Sequence, residues 1–204
     1  PFGLVGYPVL QTADVIIYKA DKVPVGIDQV PHIEISREIA RRFNRLYGET
    51  FPEPQALLTE SPLVYGTDGQ SKMSKSTDNH VELAATDEET GKRVMTMVTD
   101  PQRARKIDPG RPEICNVYSL QKLFNPDKIS GIYELCTSGG IGCVEDKRDL
   151  AQGINSFLRE FRERRNELSN QPDTVRGILE AGAERARKVA KATVQEVYER
   201  MGLR

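Results

Sequence analysis

The sequence predicts an α/β portion followed by an all-α portion, on three observations. Val23-Pro24-Val25-Gly26-Ile27-Asp28-Gln29 is a short β-like run that ends at a glycine turn and passes into a helical pattern. Strand, glycine turn, helix is the arrangement that aims polar groups at a ligand from the carboxyl end of a parallel sheet. After Asn116 the chain reads as helices alone, with apolar residues at helical spacing and Pro or Gly at the joints. Between the two lies Gly66-Thr67-Asp68-Gly69-Gln70-Ser71-Lys72-Met73-Ser74-Lys75-Ser76, in which two lysines alternate with hydroxyls behind a flexible turn.

The totals bound the class. A chain of 204 residues, 38% hydrophobic and 29% charged, can bury a core as one large domain or two small ones. No apolar run approaches the roughly 18 residues of a membrane span. No charged-then-apolar leader reads as a secretory signal, so the cytoplasm is the expected compartment and a membrane is not an expected partner. The net charge of −1 is unevenly spread: from Lys147 onward 13 Lys/Arg face 9 Asp/Glu, a balance of +4 that leaves −5 for the rest. A mildly basic C-terminal third suits nucleic acid or a solvated helical face. The chain opens at Pro1 without a methionine and reads as one that starts mid-domain.

The elements follow in order. Residues 7–18 are apolar and helical in pattern, with Pro8 expected in the first turn. Asp14 stands out there as an acid followed by Val15, Ile16 and Ile17; its spacing from Gln11 and Tyr18 allows a solvated face. The helix after the glycine turn has Asp28 as candidate N-cap, Pro31 in its first turn, a stripe of Ile35, Ile39, Phe43 and Leu46, and Gly48 as its stop. Residues 51–62 are irregular, with a short strand at Ala56-Leu57-Leu58. A helical pattern runs from Val81 to Thr99 around Leu83, Val94 and Met97. Short helices are expected over 117–124 and from Asn125-Pro126-Asp127 towards Cys136, then a glycine connector at 139–142. Leu150, Ile154, Phe157, Leu158, Phe161 and Leu168 mark a long amphipathic helix, and the last helix carries Val175, Ile178, Leu179, Gly182, Val189, Val197 and Met201.

The lysine loop carries the strongest chemistry. Ammonium groups neutralise phosphate charge, and hydroxyl and backbone donors add hydrogen bonds. With Tyr7-Pro8-Val9-Leu10, the 23–29 run and a terminal Met201-Gly202-Leu203, all in register, the chain resembles the tryptophanyl-tRNA synthetase family of class I aminoacyl-tRNA synthetases, and Lys72-Met73-Ser74-Lys75-Ser76 looks like that class's lysine motif. The covering is close to complete and matches the second half of such an enzyme.

The resemblance implies the second part of a Rossmann-like catalytic domain over residues 1–105, then an all-α, tRNA anticodon-binding domain over 106–204. It implies ATP-dependent activation of L-tryptophan and transfer to tRNA(Trp), with Lys72 and Lys75 as catalytic cations. ATP would meet Asp28, Gln29, Val30, Leu63, Lys72, Met73, Ser74, Lys75 and Ser76. Tryptophan would meet Asp14 through its indole N–H, with Tyr7, Gln11, Val23, Val25 and Gln29; Gln11 departs from a methionine some members carry. Arg103, Arg105 and Lys106 would meet tRNA. Mg²⁺ is expected with ATP, the assembly as a homodimer, and DNA not as a partner. The family's histidine motif for ATP is absent, so His32 and His80 are read as surface or capping residues and the 204 residues alone as inactive. Cys115, Cys136 and Cys143 are spaced like a four-cysteine iron–sulfur site found in some members, with Asp146 in the last position. Clusters prefer four thiolates, so the set reads as three reduced thiols at a degraded site, and a cluster is not expected. The rival readings are a tyrosine-activating enzyme and a non-catalytic module that binds tRNA or protein.

Overall fold

The computed structural model describes residues 2–58 and 63–203; residues 59–62 of the expected irregular stretch, with Pro1 and Arg204, lie outside that description. In chain order the elements are α1 (Phe2–Ile16), β1 (Lys22–Pro24), a 3-10 turn (Ile27–Gln29), α2 (Val30–Tyr47), β2 (Gln55–Leu57), α3 (Asp87–Met95), α4 (Asn116–Phe124), α5 (Ile129–Thr137), α6 (Cys143–Ser169) and α7 (Pro172–Met201), with further 3-10 turns before α4 and α5. They form two compact units: residues up to 63 together with those from 172 onward, and residues 64–171.

In the first unit β1 and β2 pair in parallel, Lys22 with Gln55, Val23 with Ala56 and Pro24 with Leu57, with α2 as the connection. This small parallel sheet makes the α/β character explicit. Three local expectations change. Pro8 sits inside α1, because the helix already begins at Phe2. Having no N–H, Pro8 breaks one rung of the ladder, and the Thr12 hydroxyl donates to its carbonyl at 2.8 Å. Asp28 does not cap α2: the N-cap is Gln29, with no side-chain cap bond, and the Asp28 carboxylate accepts from Gln29 Nε2 at 3.0 Å. The buried stripe of α2 is Ile33, Ser36 and Ala40 rather than the one expected; Ile35 is 40% and Leu46 60% exposed. Small residues win because α1 packs close enough for Thr12 Oγ1 and Ser36 Oγ to meet at 3.0 Å in the interior. Gly48 ends the helix as expected, at φ +92°.

The helix α7 belongs to this first unit, tied by the Lys19–Glu196 ion pair at 2.6 Å. Its apolar stripe is not a core: Ile178 and Leu179 are exposed, and Thr193 is the residue it buries.

The second unit packs α3 and α4 on α6, around Val94, Val117, Leu150 and Ile154. The helix expected over 81–99 shortens to α3, because Thr86 and Glu89 form a reciprocal capping box that fixes its start. Arg162 of α6 then holds that start, donating to Leu83 O at 3.0 Å and Thr90 Oγ1 at 2.9 Å and pairing with Asp87 at 2.9 Å. The expected division near residue 105 falls inside this unit. Residues 95–111 are bound to both its ends: Val98 N donates to Thr67 O at 3.1 Å, and Lys147 Nζ donates to Met95 O at 3.0 Å. No helix among the described residues is long and apolar enough to cross a membrane.

Candidate amino-acid and phosphate sites

Two clusters carry polar chemistry, one in each unit. In the first unit, Tyr7, Gln11 and Asp14 are spaced by four and three residues and so share one stripe of α1. His32, in the first turn of α2, draws this stripe to the turn before it: its Nδ1 lies 3.0 Å from Gln11 Oε1 and 3.2 Å from Gln29 Oε1. With both amide oxygens turned to it, Nδ1 is the proton-bearing nitrogen and one N–H is shared between two acceptors. The ring lies 5.8 Å from that of Tyr7, and Gln29 passes its own N–H on to Asp28. The result is a chain of oriented polar side chains, Gln11, His32, Gln29 and Asp28, beside an aromatic ring.

Of the expected amino-acid contacts, Tyr7, Gln11 and Gln29 are thus gathered, and Asp14 is exposed on the same helical stripe. Val23 and Val25 lie two apart on the extended run of β1, half-buried, and Val25 N continues the ladder to Leu57 O at 3.1 Å. Val30 opens α2 half-buried, and Leu63 is exposed. The sequence alone reads His32 as an ordinary surface or capping residue; its three-residue separation from Gln29 across a helix start is the signal that ties it to the site.

In the second unit the lysine loop is built as a braced hairpin, not as a free turn. Tyr65 and Lys72 form an antiparallel bridge, Gly66 N donates to Ser71 O at 2.9 Å and Met73 N to Val64 O at 2.9 Å. Gly69 closes the tip at φ +68°, where a side chain would be strained. Asp68 folds inward and accepts from Gln70 N, Ser71 N and Ser71 Oγ at 3.0, 3.1 and 2.6 Å. These donors, the Ser71 hydroxyl first, hold its carboxyl well below the usual carboxylate range. Asn79 is 4% exposed and reaches both limbs of the loop. Lys72, Lys75 and Ser76 are exposed, Met73 and Ser74 half-buried, and the Ser74 and Ser76 hydroxyls meet at 2.7 Å. The arrangement offers two ammonium groups and two hydroxyls on a fixed backbone, a surface suited to a polyphosphate.

The three residues expected to meet tRNA separate. Arg103 turns inward: Nη1 lies 3.6 Å from Cys136 Sγ and 3.7 Å from Cys143 Sγ, and Nη2 donates to Lys106 O at 2.7 Å and to Ile141 O. Arg105 is exposed, and Lys106, also exposed, stands 3.4 Å from Glu145. The cysteines do not fit an iron–sulfur cluster. A guanidinium already stands against two of the sulfurs, and the fourth position, Asp146, is buried with its carboxylate accepting from Gln121 Nε2 at 2.7 Å. Burial pushes the Cys115 and Cys136 thiols and the Asp146 carboxyl up from their ordinary values. Among the described residues no group of three or more His, Cys, Asp or Glu side chains is placed to hold a metal ion.

The family model for class I tRNA synthetases (W and Y) matches residues 1–159. The chain belongs to that family. Its curated relatives include a tryptophan–tRNA ligase of Aquifex aeolicus, 54% identical over 204 residues, which cover 99% of this chain and 51% of the relative. A tryptophan–tRNA ligase of Treponema pallidum is 46% identical, with 100% of this chain matched to 61% of the relative. Among solved structures, the tryptophanyl-tRNA synthetase of Campylobacter jejuni, complexed with ADP and tryptophan, superposes with a TM-score of 0.80 at 37% identity, covering 99% of this chain and 63% of that one. The chain therefore spans about half to two-thirds of the length of these synthetases.

Proposed function

We propose that the protein of which this chain is part activates L-tryptophan with ATP and passes it to tRNA(Trp). In the first step a tryptophan carboxylate oxygen attacks the α-phosphate, the bond to the β-phosphate bridge breaks, and pyrophosphate leaves. In the second a terminal tRNA hydroxyl takes the acyl group and AMP leaves. Chemistry of this kind is carried by positioning and charge stabilisation rather than by a covalent protein intermediate. The observation that carries the reading is the union of Tyr7, Gln11 and Gln29 through His32, with Asp14 on the same helical stripe. Asp14, exposed on its stripe of α1, would accept from the indole N–H of the bound amino acid, a contact that favours side chains carrying a donor. Lys72 and Lys75 would meet the charge that grows on the departing pyrophosphate, with Ser74 and Ser76 as donors. Asp28, Gln29, Val30, Leu63 and Met73 complete the ATP contacts, and Mg²⁺ enters with ATP as part of the substrate.

In this reading the Rossmann-like catalytic portion extends to about residue 105 and the helices from 106 onward meet the anticodon end of the tRNA. That functional division runs through the compact unit of residues 64–171 and not along its edge. Arg105 and Lys106 are the exposed cations of their cluster. The working assembly is a cytoplasmic homodimer, and the 204 residues alone do not turn over. The deciding experiment is ATP–pyrophosphate exchange on the full gene product, with tryptophan and tyrosine offered separately. Exchange with tryptophan alone is expected; exchange with tyrosine, or with neither, overturns the proposal.

A further inference from the structure

The lysine loop owes its shape to a side chain outside the lysine motif. We infer that Asn79 is the positioning residue that sets where Lys72 and Lys75 stand, an inference that rests on the activation reaction proposed above. Its Nδ2 donates to Asp68 Oδ2 at 2.9 Å, to Ser71 Oγ at 2.9 Å and to the Lys72 carbonyl at 3.2 Å, and its Oδ1 accepts from Ser74 N at 2.7 Å. One buried carboxamide thus grips the backbone at Lys72 and at the residue before Lys75, and ties both to the tip of the hairpin. Its own backbone is anchored as well, Asn79 O accepting from Thr67 N at 2.7 Å.

The surroundings pack closely on this group. A Cβ on Gly66 would come within 2.1 Å of Asn79 Nδ2, so the close approach requires glycine there. Beyond Asn79 the chain is latched from α3: Arg93 Nε donates to His80 O at 2.9 Å, and Arg93 Nη2 pairs with Asp78 Oδ1 at 2.8 Å and donates to the Asp78 carbonyl. Asp78 has φ +49°, a left-handed conformation that this latch holds. Asn79 itself is buried while the lysines are exposed, so it acts through the backbone it grips.

The test is the donor–acceptor swap. Asn79→Asp (N79D) keeps the shape and the acceptor towards Ser74 N but replaces the donor with a carboxylate facing Asp68. In the full gene product N79D is expected to lower kcat of tryptophan-dependent ATP–pyrophosphate exchange by about tenfold or more, since small displacements of charge-stabilising groups are costly. The KM for tryptophan should stay within about twofold, because that site lies on other residues. Amide exchange over residues 66–79 should quicken while the core helices keep their protection. The double variant D68N/N79D, which restores a donor opposite an acceptor, should recover at least about threefold of kcat, which a generally weakened fold would not do. An N79D kcat within twofold of wild type, or a loosened loop with unchanged kcat, overturns the inference. If wild type itself shows no tryptophan-dependent exchange, the activation reaction is what fails. The brace is then judged on amide exchange alone: faster exchange in N79D sustains it, unchanged exchange overturns it.

Discussion

Replacing His32 probes the proposed amino-acid site most directly. The structure gives it one N–H shared between Gln11 Oε1 and Gln29 Oε1 at 3.0 and 3.2 Å, and a ring against Tyr7 at 5.8 Å. A single shared donor counts as one hydrogen bond, so its direct loss costs about 1 kcal/mol. Conformational freedom costs more: two long amides released from a common partner must be ordered again when tryptophan binds, at about 0.5–1.5 kcal/mol each. The two costs come to roughly 2–4 kcal/mol if both fall fully on binding; solvent at these half-buried groups recovers part, leaving about 1.5–3 kcal/mol. His32→Phe, which keeps a ring beside Tyr7 but lacks the N–H, should therefore raise the KM for tryptophan roughly 10- to 150-fold in ATP–pyrophosphate exchange, with kcat much less affected. His32→Phe combined with Gln11→Ala should cost less than the two single changes added together, because both remove the same contact. A KM within twofold of wild type for His32→Phe, or strict additivity with Gln11→Ala, refutes the positioning role.

Two further perturbations test the second unit. Gly153→Ala places a Cβ 2.5–2.6 Å from the Asn125 amide, which is held by Gln121 Oε1, so urea unfolding should show a loss of about 1–3 kcal/mol. Asp68 is a carboxyl held below its ordinary value, so its ionised form stabilises the folded loop: the contribution is complete above the unfolded value of about 3.9 and is lost as pH falls towards the folded one. Amide chemical shifts of Gln70 and Ser71 should accordingly hold steady through the ordinary carboxylate value of about 3.9 and move only well below it, and Asp68→Asn should flatten that response; a transition centred at or above that ordinary value contradicts the assignment.

How much of this was legible in the sequence depends on what each signal measures. Punctuation by Gly and Pro is reliable at Gly48, at 139–142 and at Pro172, since those residues act through their own backbone. Apolar periodicity serves the first half of α6, where Leu150, Ile154 and Leu158 are buried, but not Phe157 and Phe161 of the same expected stripe, which are exposed. It misleads on α2 and α7. A close helix contact selects Ser36 and Ala40 over the larger Ile35, and α7 has apolar residues on a face that its own unit does not cover. Distance in sequence hides the rest. Asn79 lies eleven residues from Asp68, and His32 twenty-one from Gln11, so only folding shows that each pair shares a hydrogen bond.

The charge of the lysine loop makes the same point about site chemistry. Residues 66–79 hold Lys72 and Lys75 against Asp68 and Asp78, a formal balance of zero that argues against an anion site if charge is merely counted. The fold disposes of the two acids differently from the two bases. Asp68 spends its oxygens on Ser71, Gln70 and Asn79 within the hairpin, and Asp78 faces Arg93 from α3. Both lysines remain at the surface, on backbone fixed from behind. A phosphate approaching the exposed side meets ammonium groups at short range, whereas Asp68 is occupied by donors within the hairpin and Asp78, itself exposed, is paired with Arg93. Arg93 brings the local charge to +1 without standing in the loop itself. Charge at this site is thus a property of direction, and the acids that cancel the lysines on paper are the groups that hold them in place.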